Sequence, residues 1–278
     1  MSDGSLKYSV LMSVYKNDSP EYLKIALESI YDMQTIKPDE IVVVFDGPLT
    51  EELYNTLNDF RYGREDVVKY YPQTENKGLG EALRVGSEKC TGDYIFRMDS
   101  DDISDPLRFE KQISYIVKHP EVDAVGTDIA EFENNTNEKM RIRSCPSNHD
   151  DIVKMGKKRN PMNHVSVCIK KSALEKCGGY QTLLLLEDYY LWLRMIAAGC
   201  TLANINEPLV CVRIGNGFDS KRSSKTRISG WLVLQRFMLD VGMINFREAI
   251  LNMIYINLFV RTPSWMKSYL YGLFLRSK

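Results

Sequence analysis

The stretch Asp93-Tyr-Ile-Phe-Arg-Met-Asp99-Ser-Asp-Asp102 decides the fold, because a β-strand pattern there runs straight into three carboxylates. Upstream, Tyr8-Ser-Val-Leu-Met-Ser-Val reads as a first strand. A helix follows near Pro20 to Asp32, with Leu23, Ala26, Leu27 and Ile30 on one face. Glu40-Ile-Val-Val-Val-Phe is a continuous apolar run, as expected of a strand covered on both faces of a parallel sheet. A helix near Thr50 to Phe60, the strand Val67-Val-Lys-Tyr-Tyr and a helix from Gly78 to Lys89 complete the approach to the acidic strand end. Strands alternating with helices imply βαβ units, and hence an α/β fold with a doubly wound, mostly parallel sheet flanked by helices.

Working outward, the chain divides into residues 1–130, 131–220 and 221–278. Asn134-Asn-Thr-Asn is turn-rich and ends the regular alternation. Residues 141–213 mix short strands with helices, the clearest being Glu187 to Ala198, closed by Gly199 and burying Leu191, Met195 and Ala198. Beyond Lys221 three helical segments are expected, broken near Gly242 and at Thr262-Pro263. The last two, from Ala249 and from Trp265, are apolar and aromatic with Arg and Lys at their edges. That pattern suits contact with a membrane surface, or else a helical cap packed on the core or on a partner chain. Over 278 residues the net charge is −1, but residues 221–278 carry ten Lys/Arg against Asp240 and Glu248, a net +8. Residues 1–220 then hold 26 basic and 35 acidic side chains, a net −9, so the C-terminal part is the part that would meet an anionic partner.

With 44% hydrophobic and 26% charged residues the composition is that of an ordinary globular protein, which excludes a disordered or collagen-like chain. No apolar run reaches the roughly 18–20 residues of a spanning helix. Met1-Ser-Asp-Gly-Ser-Leu-Lys lacks the pattern of a signal peptide, so a cytoplasmic location is the expectation. The six cysteines form no C-x-x-C pair and have no His at zinc spacing, which fits reduced thiols.

Ligands of open parallel sheets sit beyond the carboxyl ends of the strands, where Asp99, Asp101 and Asp102 fall. Crowded carboxylates repel, and a divalent cation with oxygen ligands relieves them while bridging to phosphate. The same residues could instead be loop and cap groups of the helix starting near Pro106. An EF-hand loop fails at Ile103 and Ser104, where an oxygen ligand and a glycine are wanted. Asp46, before Gly47-Pro48, sits at the same sheet edge and is either a turn former or a ligand contact. Tyr15, ending Ser13-Val14-Tyr15, could stack on a flat base. Asn76-Lys77-Gly78-Leu79-Gly80 opens a helix that can hold an anion. The phosphate loop of ATPases and the G-x-G-x-x-G of dinucleotide enzymes are both absent. Glu187-Asp188 opens a helix whose dipole suffices to explain acidic residues there. As a general base either would need a raised pKa, against the helix terminus, and the sequence leaves that contest open. His119 and His149 read as surface and helix-start residues, and His164 as a core or surface residue rather than a site residue.

In order, Ser9-Val-Leu-Met-Ser-Val-Tyr-Lys-Asn, Ile41-Val-Val-Val-Phe-Asp-Gly, Asn76-Lys-Gly-Leu-Gly, Asp99-Ser-Asp-Asp and Glu187-Asp188 resemble the family 2 glycosyltransferases over about residues 7–215. The likeness is to the bacterial enzymes of exopolysaccharide and O-antigen repeat units, including the amylovoran type. It implies a GT-A fold, a nucleotide-diphosphate sugar donor (a UDP-sugar by preference), Mn²⁺ or Mg²⁺, and transfer with inversion. By position it implies a donor site of Ser13, Tyr15, Asp46, Asn76, Lys77, Arg84, Asp99 and Ser100. Asp101 and Asp99 are then the metal ligands, and Asp188 the base, with Glu187 as its orienter or alternative. A saccharide or lipid-diphosphate-saccharide acceptor is implied, with residues 221–278 on the inner face of the bacterial cytoplasmic membrane and no nucleic-acid partner.

Two departures bear on this. Phe45 and Pro48 stand where the family often has Asp and Ser, and the Q-x-x-R-W of processive synthases is missing, Gln235 being followed by Arg-Phe-Met-Leu. A nucleotidyltransferase would also place carboxylates and a metal at strand ends, but wants a glycine-rich loop after the first strand, where Tyr15-Lys-Asn-Asp-Ser has no glycine. A binding module with a nucleic-acid tail is the third reading, and salt-sensitive RNA binding would mark it.

Overall fold

A computed structural model of the chain describes residues 6–133, 140–183, 185–214 and 226–262. Asn134–Asn137 and the helical segment from Trp265 lie outside the described residues. The first half alternates as its hydrophobic pattern requires: β1 (Tyr8–Val14), α1 (Pro20–Ile30), β2 (Glu40–Phe45), α2 (Glu51–Arg61), β3 (Val68–Pro72), α3 (Leu79–Lys89) and β4 (Tyr94–Met98). Helix starts are set by local chemistry. Ser19 accepts from the Tyr22 N–H ahead of Pro20, and Thr50 accepts from the Leu53 N–H.

The second half holds β5 (Ile103–Ser104), α4 (Arg108–Lys118), β6 (Ala124–Phe132), β7 (Arg141–Arg143), α5 (His149–Gly156) and a 3₁₀ turn (His164–Ser166). These are followed by β8 (Cys168–Lys170), α6 (Lys171–Lys176), α7 (Glu187–Ala197) and β9 (Leu202–Arg213). Helices α8 (Thr226–Asp240) and α9 (Phe246–Arg261) close the described chain. All nine strands form one sheet in the order β3-β2-β1-β4-β8-β6-β9-β5, with β7 on β6. Strands β3, β2, β1 and β4 are mutually parallel, so the carboxyl ends of β1, β2 and β4 share one edge. The parallel run stops at β8, which enters antiparallel to β4 and β6, while β6 and β9 pair in parallel.

Alternation along the strands divides the core into two layers. Val10, Met12, Ile41 and Val43 pack with Leu23 and Leu27 of α1, Leu57 of α2 and Phe109 of α4. Leu11, Val42 and Val44 face the other way, toward Leu83 of α3, Ile152 of α5 and Leu191, Trp192 and Met195 of α7. Helix α7 is buried on more than the single face its spacing predicts: Trp192 and Leu193 are as buried as Leu191, whereas Ala198 is only half-buried. The extra face is covered by α8 and α9, where Trp231, Leu234, Met238, Ile244 and Ile256 pack with Leu186, Tyr189 and Leu193. The C-terminal helices are thus a cap on the core along one side. All six cysteines are free thiols. No helix among the described residues is long and apolar enough to cross a membrane.

Close packing of α3 on β1 and β2 depends on Gly86, where an added Cβ would lie 2.3 Å from Leu11 Cδ1 and 2.8 Å from Val44 Cγ2. Gly86→Val should therefore lower the unfolding free energy by about 1–3 kcal/mol through overpacking. Denaturant unfolding measures it, and unchanged stability would mean that this contact relaxes freely.

Candidate active site

The shared edge of β1, β2 and β4 collects the acidic residues. Beyond β4, Asp99 is ion-paired to Arg97 of that strand, whose side chain is 2% exposed and which has its Nε and Nη1 without partners. Asp102 is buried and accepts the Arg213 N–H at 2.8 Å, which ties the end of β9 to the acidic loop. The Arg213 guanidinium lies over the rings of Tyr22 and Phe132, and its Nε donates to the Asp101 carbonyl. From the β1 end, Asp18 joins the group. Its Oδ2 accepts from Ser100 Oγ at 2.8 Å and from the Tyr15 N–H at 3.0 Å.

Loss of solvent around the loop, followed by the Asp99 charge, pushes Asp101 up to about 6. Desolvation likewise brings Asp18 to about 6, with the Asp101 and Asp99 charges adding to it. Asp102 is raised well above the ordinary carboxylate range by burial and by the same two neighbours. The donor set is therefore all oxygen, with three carboxylates raised by burial and by one another, which is the chemistry that suits a hard divalent cation. No three ligating side chains converge as a ready cage among the described residues. Such a cation would take one or two carboxylates here and complete its shell with water and phosphate oxygens.

Asp46 is committed to the neighbouring loop. Its Oδ1 accepts from the Lys77 N–H at 2.7 Å and its Oδ2 from the Gly78 N–H at 3.0 Å, while Asn76 Nδ2 donates to its carbonyl. Gly47, at φ +86°, lets the two loops touch, since a Cβ there would lie 2.7 Å from the Asn76 nitrogen. Gly78, at φ +89°, opens α3, and Gly80 packs with Thr182 and Glu187. The glycine-rich turn thus brings the α3 N-terminus against the start of α7. Ser13 and Tyr15 are half-buried at the β1 end, and Asn76 and Lys77 are exposed. Arg84 is held on the α3 surface by Glu81 and Glu88.

Glu187 and Asp188 face this region from α7. Asp188 Oδ1 accepts the Tyr189 N–H at 2.7 Å, and its Oδ2 accepts from Asn160 Nδ2. Burial wins the contest left open by the sequence: it raises Asp188 against the lowering pull of these hydrogen bonds and of the Arg143 and Arg97 charges. Glu187 is raised by burial and then by the Asp188 charge. The Arg97 charge lowers both, and the same guanidinium is ion-paired to Asp99. His164 is half-buried beside it, 3.2 Å from Tyr180 Oη, and burial with the Arg97 charge holds its pKa well below 6.5, so the ring is neutral. His149 Nδ1 accepts the Leu202 N–H at the start of α5, and His119 is exposed beside Glu121.

Sequence reasoning missed four residues. Asp18 carried one signal, a carboxylate four residues beyond the β1 terminus. Arg97 was visible only as a charge inside an apolar strand. Asn160 and Arg213 reach the site from distant segments, and nothing local marks them.

An edge of crowded carboxylates, a glycine-rich helix start and a buried acidic pair at the start of α7 thus meet at one end of the sheet. Residues 9–178 match the description "Glycosyl transferase family 2". The chain is 36% identical over 277 residues to an Escherichia coli UDP-Gal:alpha-D-GlcNAc-diphosphoundecaprenol beta-1,3-galactosyltransferase, covering 99% of both chains. It is 39% identical over 239 residues to the amylovoran biosynthesis glycosyltransferase AmsE of Erwinia amylovora, covering 86% of this chain and 88% of that one. Among solved structures, a Pyrobaculum calidifontis mannosyltransferase in complex with GDP-Man and Mn²⁺ superposes with a TM-score of 0.63 at 15% identity, over 96% of this chain and 73% of that one. The chain belongs to glycosyl transferase family 2 and has the GT-A fold; it is a glycosyltransferase.

Asp46→Ala should release the Lys77 and Gly78 amides, whose hydrogen bonds to a carboxylate are worth about 1.5–3 kcal/mol each. Amide exchange at both should accelerate roughly tenfold or more. Unchanged protection would mean that the carboxylate does not hold this loop.

Proposed function

We propose that the protein is an inverting, metal-dependent, non-processive glycosyltransferase. It moves one sugar from a UDP-sugar to a lipid-diphosphate-linked saccharide during assembly of a bacterial surface polysaccharide. The observation that carries this reading is that Arg97 is ion-paired to Asp99 of the acidic loop and that its charge also acts on Glu187 and Asp188. The donor, acceptor and pathway rest on the names of the two bacterial relatives.

In this reading residues 1–130 form the donor half and 131–220 the acceptor half. Ser13, Tyr15, Asp46, Asn76, Lys77, Arg84 and Ser100 take part in nucleotide-sugar binding. Tyr15 would stack on the base, and Asp46 acts largely by shaping the 76–78 turn. Asp101 and Asp99 would hold Mn²⁺ or Mg²⁺; the bound cation offsets charge on the departing diphosphate. Arg97 aligns Asp99 through their ion pair, and Ser100, fixed by Asp18, holds the loop between them. Asp188 takes the proton of the acceptor hydroxyl as that oxygen attacks the anomeric carbon from the face opposite the diphosphate. The C–O bond to the diphosphate breaks as the new one forms, which inverts the centre. Glu187, raised by its neighbour, orients the acceptor or stands in as base. Residues 221–278, at +8, would hold the enzyme to the anionic inner face of the cytoplasmic membrane.

A panel of UDP-, GDP- and dTDP-sugars with a lipid-diphosphate-linked saccharide tests the reading. A UDP-sugar should transfer with the product anomer opposite to the donor by NMR, and retention would contradict the mechanism. Asp188→Asn should lower kcat by about 10²–10⁴-fold, the usual worth of a positioned base. Asp188 works only when ionised and its pKa is raised, so kcat should fall with pH about a midpoint above the ordinary Asp range. Asn160→Ala removes a hydrogen bond that favours the carboxylate and should move that acid limb to still higher pH. A limb that stays in place would exclude Asp188 as the titrating base.

A further inference from the structure

Asp18 lies in the turn after β1, four residues beyond Val14, and is half-buried. Its Oδ2 accepts the Tyr15 N–H at 3.0 Å while its own N–H donates to the Tyr15 carbonyl at 3.0 Å, so two reciprocal bonds close the turn. The same Oδ2 accepts from Ser100 Oγ at 2.8 Å, from a residue 82 positions away in the chain. Among the described residues no hydrogen bond reaches Oδ1. The next residue, Ser19, caps α1 by accepting from the Tyr22 N–H, and Leu23 and Leu27 anchor that helix in the core. The carboxylate is therefore held from behind by packed structure.

Ser100, 8% exposed, stands between Asp99 and Asp101. Strands β1 and β4 are parallel neighbours with Met12 opposite Met98, so Tyr15 and Ser100 leave the sheet at the same edge. A hydroxyl has one proton, and giving it to Asp18 fixes the Ser100 side chain. The Asp99 and Asp101 charges act against ionised Asp18, so a carboxylate here costs electrostatic free energy. Two effects offset that cost: a charged acceptor holds its donors more strongly than a neutral one, and a cation at the loop would relieve the repulsion.

We propose that Asp18 is a positioning residue of the donor site: holding the Tyr15 N–H and Ser100 Oγ on one oxygen, it fixes the spacing between the turn that meets the nucleobase and the loop that meets the cation, so that a nucleoside diphosphate and its divalent cation bind as a unit. This deepens the donor reading above and rests on it. Asp18 acts through Ser100 and Tyr15 and touches neither ligand. A carboxylate that served only to close the 15–18 turn would have no use for Ser100. Its loss would then lower stability and leave the coupling between nucleotide and cation as it was.

The test is calorimetric titration of UDP into the full chain with and without Mn²⁺, which gives the enhancement of UDP affinity by the cation. It is read for wild type, Asp18→Ala, Asp18→Asn, Ser100→Ala and the double variant Asp18→Ala, Ser100→Ala. Asp18→Ala should reduce the enhancement roughly tenfold or abolish it, the loss expected when a charge-assisted hydrogen bond goes. Ser100→Ala should reduce it by a similar factor, and the double variant no further than either, because the two side chains act through one bond. Asp18→Asn should restore most of the enhancement, since its amide oxygen can take the place of Oδ2 and its NH₂ falls where Oδ1 accepts nothing. An undiminished enhancement in Asp18→Ala or in Ser100→Ala, losses that add in the double variant, or an Asn variant no better than Ala would each overturn the proposal. Should Asp18→Ala not fold, Ser100→Ala and Asp18→Asn decide by the same outcomes. A wild type indifferent to Mn²⁺ strikes the metal-dependent donor reading itself, whereas a wild-type enhancement that the variants leave intact strikes only the role of Asp18.

Discussion

Arg97 lies near the end of the central parallel strand β4 with 2% of its side chain exposed, ion-paired to Asp99 of the acidic loop that follows. Taking a guanidinium out of water is costly unless it is paired, and removing one partner of a buried pair typically costs about 3–5 kcal/mol. Here the ion pair is with Asp99, and two guanidinium nitrogens lack partners. The strand that carries it is enclosed by the two large hydrophobic layers of the molecule. The same charge pulls the raised carboxylates of α7 back toward ionisation, so a cation fixed by folding tunes both sides of the site.

The N-terminal half was legible because its elements follow local rules. Glu40–Phe45 is a strand with the bounds its apolar run implies, and Ser19-Pro20 and Thr50 cap helices where such residues should. The acidic edge was legible for the same reason, since strand ends in a parallel sheet are where ligands meet the chain. The second half was less legible because its pairing is not local. Strand β8 has three residues and owes its antiparallel place to β4 and β6, far apart in sequence. Arg213 joins the site only because β9 runs beside β6 to its end, a register with a bulge between Thr127 and Ile129 that no period predicts. Asn160 is hidden in the same way. The Glu187-Asp188 question needed burial, which is a tertiary quantity, to decide its sign.

The tail illustrates how one sequence pattern serves two faces. Its apolar excess read as either membrane contact or core cap, and α8 and α9 use one side of it to cover Tyr189 and Leu193. Their other side leaves large hydrophobic residues in solvent, which a stable monomer in water does not require. The helices also hold the 157–160 segment through Asn252, so the cap and the base support share a hydrogen bond.

The account stands on a nucleotide diphosphate and a divalent cation binding as a pair at the Asp99–Asp101 loop. Calorimetric titration of UDP into the wild-type chain and into Asp101→Ala, with and without Mn²⁺, tests this directly. The account predicts that Mn²⁺ tightens UDP binding in wild type by roughly 5–150-fold, the usual range of coupling between linked ligands, and that Asp101→Ala removes the effect. UDP affinity indifferent to Mn²⁺ in wild type, or an undiminished Mn²⁺ effect in Asp101→Ala, would contradict it.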